Sequence, residues 1–289
     1  MSDNLSIICE PGDTQIVDHG FRDVAKIFQE LGFAVKMPGF LQQGEKQLTT
    51  EQANDTRMTT KTRWVVESFH SQFKKWRFFS ERISQDFIVD IDVLARTVAA
   101  SLNKYRSHLY EGKSPEDYAL ANKMLLLKSR SSQLEQLISN GDLSLPKHWK
   151  SVMDIEHDFN FPNLTLDFLR EYICGIYQIK QCSSYAKAHL FYNDDQFEFQ
   201  VSSSDDSTLR CRLHSKNSRL MNYYLCIRFD NDDEDDPIKD HYCQCKSGAR
   251  NLGCCSHVAT VLWYIGYARH IFSTPSTRTD LFRKTIFDC

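Results

Sequence analysis

The segment HYCQCKSGARNLGCCSHVATVLWYIGYAR, residues 241–269, decides how this chain is read. Cys243 and Cys245 stand two apart, Cys255 and His257 stand two apart, and nine residues separate the pairs. In an extended strand residues i and i+2 project from one face, so both thiolates of the Cys-x-Cys can meet one ion, whereas a disulfide between them would be strained. Gly248 and Gly253 supply the turns that bring the second pair back. Val258, Val261, Leu262, Ile265 and Ala268 then recur at helical spacing, which places His257 in the first turn of a helix. Three thiolates and one imidazole fill a tetrahedral zinc sphere and leave no position for water, so the expected metal is structural Zn. Cys254 adjoins Cys255 and leaves a swap of the third sulfur open. His241, His270, Cys211 and Cys226 lack ligand spacing and read as packing or surface residues.

Working outward, 289 residues and 33.7 kDa amount to about two domains, and 41% hydrophobic content suffices to bury more than one core. No apolar run approaches the roughly 18 residues of a membrane span, and the opening MSDNLSIICEPGD has neither a basic region nor a continuous apolar one. The expectation is an intracellular protein, nuclear or cytoplasmic, in which disulfides do not form. That leaves ten Cys to explain, five of them in the last 47 residues. The net charge of −3 conceals a division: residues 57–130 carry 14 basic and 8 acidic side chains, and residues 150–240 carry 10 and 17. The acidic run Asp232–Asp236 before Pro237 reads as a solvated loop.

Coarse periodicity gives mixed α/β order at the start. Thr14–Val17 reads as a strand ending in Asp18, Val24 to Leu31 as a helix, and Phe33–Met37 as a second strand. Thr49-x-x-Gln52 is a capping box opening a helix. From Thr62, Val65, Phe69, Phe73 and Trp76 form one apolar stripe, with Arg63, Glu67, His70 and Lys74 on the opposite face. Further helices are expected at Ile88–Tyr105 and at Pro115–Ile138, the latter capped by Ser114 and ended by Asn140-Gly141. Residues 139–163 read as a connection, Leu164–Tyr172 as a short helix, and Phe197–Val201, Leu209–Leu213 and Tyr223–Phe229 as an antiparallel meander. Lys74, Lys75, Trp76, Arg77 and Phe78 combine cations with aromatic rings in the manner of a phosphate- and base-contacting stretch, although Trp76 also belongs to the apolar stripe and would then be core. No phosphate loop, nucleophile elbow or Cys/His catalytic pair is present, so nothing marks a small-molecule substrate site.

Two resemblances sharpen the reading. Cys-x-Cys, a variable spacer, then Cys-x-His followed by an apolar helix resembles the SWIM zinc finger, which implies Cys243, Cys245, Cys255 and His257 as ligands and a DNA or protein partner. PGDTQIVDHGFRDV (11–24), LGFAVKMPGFL (31–41) and LTTEQANDTRMTTKTRWVVESFHSQFKKWRFF (48–79) resemble the later half of the catalytic domain of harbinger-like transposases, DDE superfamily endonucleases with an RNase H-like fold. That resemblance implies Asp18 and Glu67 as the second and third catalytic acids, acting through Mg²⁺ pairs. Read from the residues alone, Asp18 is equally a turn or cap residue and Glu67 an ion-pair partner of Arg63 one helical turn away. The family's first Asp lies on an earlier strand, and the seventeen residues before Asp18 offer only Asp3 and Asp13, both in polar context.

The expectation is therefore an α+β chain: residues 1–110 a truncated RNase H-like transposase domain, 111–163 a helical connector, 164–240 a β-rich meander, 241–272 a SWIM zinc finger of hairpin plus helix, and 273–289 a tail. Its expected role is zinc-dependent binding of DNA or a protein partner, with no complete catalytic site and no membrane association. The competing reading is a Mg-dependent DDE-type nuclease whose first acid is supplied by further upstream sequence.

Overall fold

The computed structural model describes residues 9–106, 114–141, 148–152, 159–191, 198–204, 206–214 and 221–271. Phe197, Asp3, Cys289 and the tail 273–289 lie outside them. Helix and sheet are both present, as the α+β reading requires. The chain divides into two compact units: residues 1–38 with 55–122, and residues 39–54 with 123–289.

In the first unit, β1 (Thr14–Ile16) and β2 (Ala34–Lys36) pair in parallel, joined by a 3₁₀ turn at His19–Val24 and by α1 (Ala25–Glu30). Gly32, at φ +85°, makes the turn from α1 into β2. α2 (Thr50–Thr62) starts in the second unit and ends in the first; α3 (Trp64–Phe73), α4 (Arg77–Ser80) and α5 (Ile91–Tyr105) follow. α3 falls where the apolar stripe was read but buries no residue. Val65 is 59% exposed and Trp76, which lies outside the helix as the N-cap of α4, is 46% exposed. The expectation that Trp76 is core is thus corrected: of the stripe, Val65 and Trp76 are exposed, and Phe69 and Phe73 are only partly covered.

The segment read as one helix from Pro115 is two, α6 (Pro115–Lys128) and α7 (Gln133–Ser139). Ser114 caps the first as expected, exchanging bonds with Asp117. The break falls at Ser129-Arg130-Ser131-Ser132, where Ser132 leaves the helix to cap α7 by accepting from the Glu135 amide at 3.0 Å. Serines compete for backbone groups and favour such positions over helix interiors.

A five-stranded antiparallel sheet organises the second unit in the order β3 (Trp149–Ser151), β4 (Glu198–Ser202), β5 (Thr208–His214), β6 (Asn222–Phe229) and β7 (Ile238–Cys243). The meander is present, and β3 adds an edge strand inside the stretch read as a connection. Period-two alternation sends Phe199, Leu209, Cys211, Leu213, Leu225, Ile227 and Phe229 to one face. There they are buried against α8 (Leu166–Ile173), α9 (Tyr177–Phe191) and α10 (Ser256–Val261), which runs on as a π-helix through Ala268. α9 was not foreseen, because Gln178, Lys180, Gln181, Ser183 and Ser184 interrupt its apolar positions. On the opposite face Leu134 of α7 packs with Trp149 and Cys226.

Candidate metal centre

Strand β7 ends on Cys243, and Cys245 follows in the bend just beyond it, so the first pair does not lie on one strand as the spacing suggested. The register of β7 sets Cys243 opposite Leu225 and His241 opposite Ile227, on the buried face of the sheet, and the chain then turns at Gly248. Gly248 has φ +54° and Gly253 φ +63°, both left-handed conformations that a glycine adopts without strain. At Gly253 a Cβ would lie 2.2 Å from the Ile173 carbonyl oxygen, so no side chain fits there. The hairpin closes through Gly248 N–H to Cys245 O at 3.1 Å and Cys243 N–H to Gly248 O at 3.3 Å.

The second pair comes from the helix that follows. Cys255 is the N-cap of α10, and its sulfur accepts from the Val258 amide at 3.5 Å. His257 stands in the first turn, and its ring lies between Tyr223, 5.1 Å away, and Tyr185, 5.6 Å away. Val258, Val261, Leu262, Ile265 and Ala268 are all fully buried, so the predicted stripe anchors this helix on the sheet.

The donor atoms of Cys243, Cys245, Cys255 and His257 all lie within 4.8 Å of one another, and Cys243 Sγ is 3.7 Å from His257 Nδ1. With Zn–S near 2.3 Å and Zn–N near 2.0–2.1 Å, a tetrahedral site puts sulfurs about 3.8 Å apart and a sulfur and nitrogen about 3.5 Å apart. The four side chains therefore need shift by little to share one ion. Cys254, although buried, is not in the group; the cluster takes Cys255.

Burial pushes the Cys243 and Cys255 thiols up, while Cys245, accepting hydrogen bonds from Cys243 and then from Cys255, is held well below its ordinary value. Three thiols and an imidazole brought this close together are the donor set that a bound Zn²⁺ would satisfy.

The other thiols and imidazoles behave as packing groups. Burial raises the Cys211 thiol and pushes Cys226 up to about 12. His241 is buried on the sheet, bonds Tyr172 Oη through Nδ1 at 2.7 Å, and is held down to about 4 chiefly by burial.

The two carboxylates of the first unit do come together, through one cation. Asp18 caps the 3₁₀ turn by accepting from the His19 amide at 2.7 Å. Arg63 reaches Asp18 at 3.1 Å and Glu67 at 3.3 Å. Both readings made from the residues alone, cap and ion pair, describe these side chains. What spacing missed is that Arg63 is common to both.

Residues 1–103 match the family model of the DDE superfamily endonucleases. No curated protein and no solved structure matches the chain. Among the described residues no helix is long and apolar enough to cross a membrane. The Cys₃His cluster lies wholly beyond the matched residues, so the likeness to the DDE superfamily endonucleases covers the first 103 residues and says nothing of the candidate metal centre.

Proposed function

We propose that this is a transposon-derived zinc-finger protein, in which Cys243, Cys245, Cys255 and His257 form a SWIM-type finger around one structural Zn²⁺ and the protein binds DNA. The convergence of four zinc-type donors within 4.8 Å, three of them buried, carries the reading. All four positions are filled by protein, so the ion builds a surface and takes no part in bond breaking. DNA is favoured over a protein partner by Lys74, Lys75, Trp76 and Arg77, which stand side by side and exposed on the transposase-like unit, where cations can meet phosphates and the ring an unpaired base. Metal analysis of the purified full chain tests the first part: about one zinc per chain is expected, lost in Cys243→Ser. Anisotropy titration with labelled DNA tests the second, through affinity that falls with salt and falls further in Lys74→Ala/Lys75→Ala.

A second reading has one observation in its favour. Arg63 gathers Asp18 and Glu67, the two positions that the resemblance to the DDE family implies as catalytic acids. With a third carboxylate from additional sequence or another chain, that pair would hold Mg²⁺ for phosphoryl transfer. Mg²⁺-dependent DNA cleavage that disappears in Asp18→Ala would establish it.

A further inference from the structure

The second unit includes a piece of chain from far upstream. Residues 39–54 lie in sequence between Asp18 and Glu67, inside the family-matched region, yet pack with the metal-bearing half. The contact is specific. Gln47 Nε2 donates one hydrogen to Cys243 O and the other to Cys245 O, each at 2.7 Å, and its Oε1 accepts from Tyr242 Oη at 3.1 Å. Only this orientation of the amide satisfies all three partners, since two carbonyls need donors and a hydroxyl can supply one.

The next residues add further anchors. The Leu48 amide donates to Lys246 O at 3.1 Å, and Leu48 is 4% exposed. Thr49 and Gln52 exchange backbone-to-side-chain bonds at 3.1 and 3.2 Å, the capping box read from the sequence, so the strap enters α2 in a set direction. Asn54 is fully buried; its Oδ1 accepts from the Leu252 amide at 3.0 Å and its Nδ2 donates to Lys128 O at 3.3 Å. Gly248 belongs to the same fit, because a Cβ there would come within 3.1–3.3 Å of the Gln47 side chain.

We propose that residues 47–54 are a strap belonging to the metal centre, with Gln47 as its positioning residue, so that zinc occupancy and docking of the strap stabilise each other. The inference rests on the zinc reading above. Gln47 touches no metal; by holding the carbonyls of Cys243 and Cys245 it fixes the backbone of both ligand cysteines. Partners of this kind, one step out from the ligands, set metal affinity, and their loss lowers it by about 10- to 100-fold. Linkage is reciprocal: whatever factor strap docking adds to zinc affinity, zinc adds to strap docking. Because the strap joins the strand before it, preceded by Asp18, to the helices that lead to Glu67, metal loss would release the chain between those two carboxylates.

The test uses the full chain. Zinc affinity is measured by competition with a chromogenic chelator, the Co²⁺-substituted protein is followed by its visible absorption, and amide exchange is read at residues 47–54. Gln47→Met keeps the volume and removes the donors; about a tenfold loss of zinc affinity and a shifted Co²⁺ spectrum are expected. Gln47→Glu turns both donors into acceptors against two carbonyl oxygens and adds charge near the thiolates, so its loss is larger, up to about 100-fold. In both, with zinc still bound, the Leu48 amide exchanges faster while β7 stays protected. Tyr242→Phe, which removes only the hydroxyl orienting Gln47, gives a loss of a few-fold and covers the case in which Gln47→Glu does not fold. Unchanged affinity, spectrum and exchange in Gln47→Met and Tyr242→Phe overturn the strap. An unaltered chain that holds no zinc overturns the metal reading and the strap with it.

Discussion

The two units use apolar residues in opposite ways. In the unit that holds the Cys₃His cluster, sheet, α8, α9 and α10 share one core in which Leu169, Ile173, Leu209, Leu225, Ile227, Val261, Leu262 and Trp263 are fully buried. In the other unit the buried apolar side chains among the described residues are Phe28, Phe33 and Val98, while Trp64, Val65, Val66, Phe87, Ile88, Val89 and Val93 are all exposed. β1 and β2 make a two-stranded parallel sheet whose Thr14, Ile16, Ala34 and Lys36 are exposed. Parallel sheets are almost always covered on both faces, and two strands alone are marginal. The lesson is that a family match reports likeness of sequence, whereas independent stability has to be read from what each apolar face covers.

Metal removal gives the sharpest separation between the units. Structural zinc contributes about 10–16 kcal/mol in small zinc peptides, as much as the whole stability of a typical domain. Stripping zinc from the full chain should therefore unfold the finger and loosen the sheet edge at β7, seen as loss of near-ultraviolet dichroism from Trp263 and of amide protection over 238–268. Protection over 14–36 should change little. Equal loss in both regions would show that they fold as one cooperative body and would break the comparison.

Core truncation comes next. Leu262→Ala removes a fully buried side chain wedged between helix and sheet, and a loss of about 2–5 kcal/mol is expected in chemical denaturation of the zinc-loaded chain. Gly253→Ala should fall in a similar range, about 2–4 kcal/mol, because a left-handed φ and a 2.2 Å approach to Ile173 O are both offended. A smaller cost at Gly253 would mean that the turn between the two ligand pairs can shift, and that the metal, not the backbone, sets its shape.

Ser132 tests the sheet's other face. Its hydroxyl oxygen caps α7 and its hydrogen goes to Asp240 Oδ2 at 2.9 Å, which also accepts from the Leu134 amide at 2.8 Å. Ser132→Ala should cost about 1–2 kcal/mol, the usual price of a cap. A loss well under that range would show that water replaces the hydroxyl.

These elements differ in how legible they were. The grouping of Cys243, Cys245, Cys255 and His257 was readable because Cys-x-Cys and Cys-x-His keep each pair close along the chain, and a first-turn histidine faces back toward the preceding loop. The two positive-φ glycines and the helix after His257 followed from equally local rules. Gln47, Asn54 and β3 were not readable, since their partners lie 198, 198 and 51 residues or so away and a polar side chain in a loop has no periodicity to reveal a distant carbonyl. Trp76 failed for the opposite reason. Its spacing was helical and apolar, which specifies a face but not whether anything covers it. Arg63 shows an intermediate case: the bond to Glu67 one turn away is local, whereas the bond to Asp18 spans 45 residues and needed the fold.

The smallest expected effect bears most directly on that uncovered face. Val65 is 59% exposed, and an exposed side chain away from caps, cores and ion networks usually changes stability by no more than about 0.5 kcal/mol. Val65→Ala should therefore be near-silent in denaturation of the full chain, in contrast to Leu262→Ala, although both remove aliphatic groups from helices. Arg63→Ala should also be modest, about 1 kcal/mol or less, because Asp18 and Glu67 are more than half exposed and water screens both pairs. A loss at Val65 above about 1 kcal/mol, growing with protein concentration, would mean that the stripe is buried against another copy in solution. The helical spacing of Val65, Phe69 and Phe73 would then describe an interface, and the poverty of core in this unit would be a property of the single chain alone.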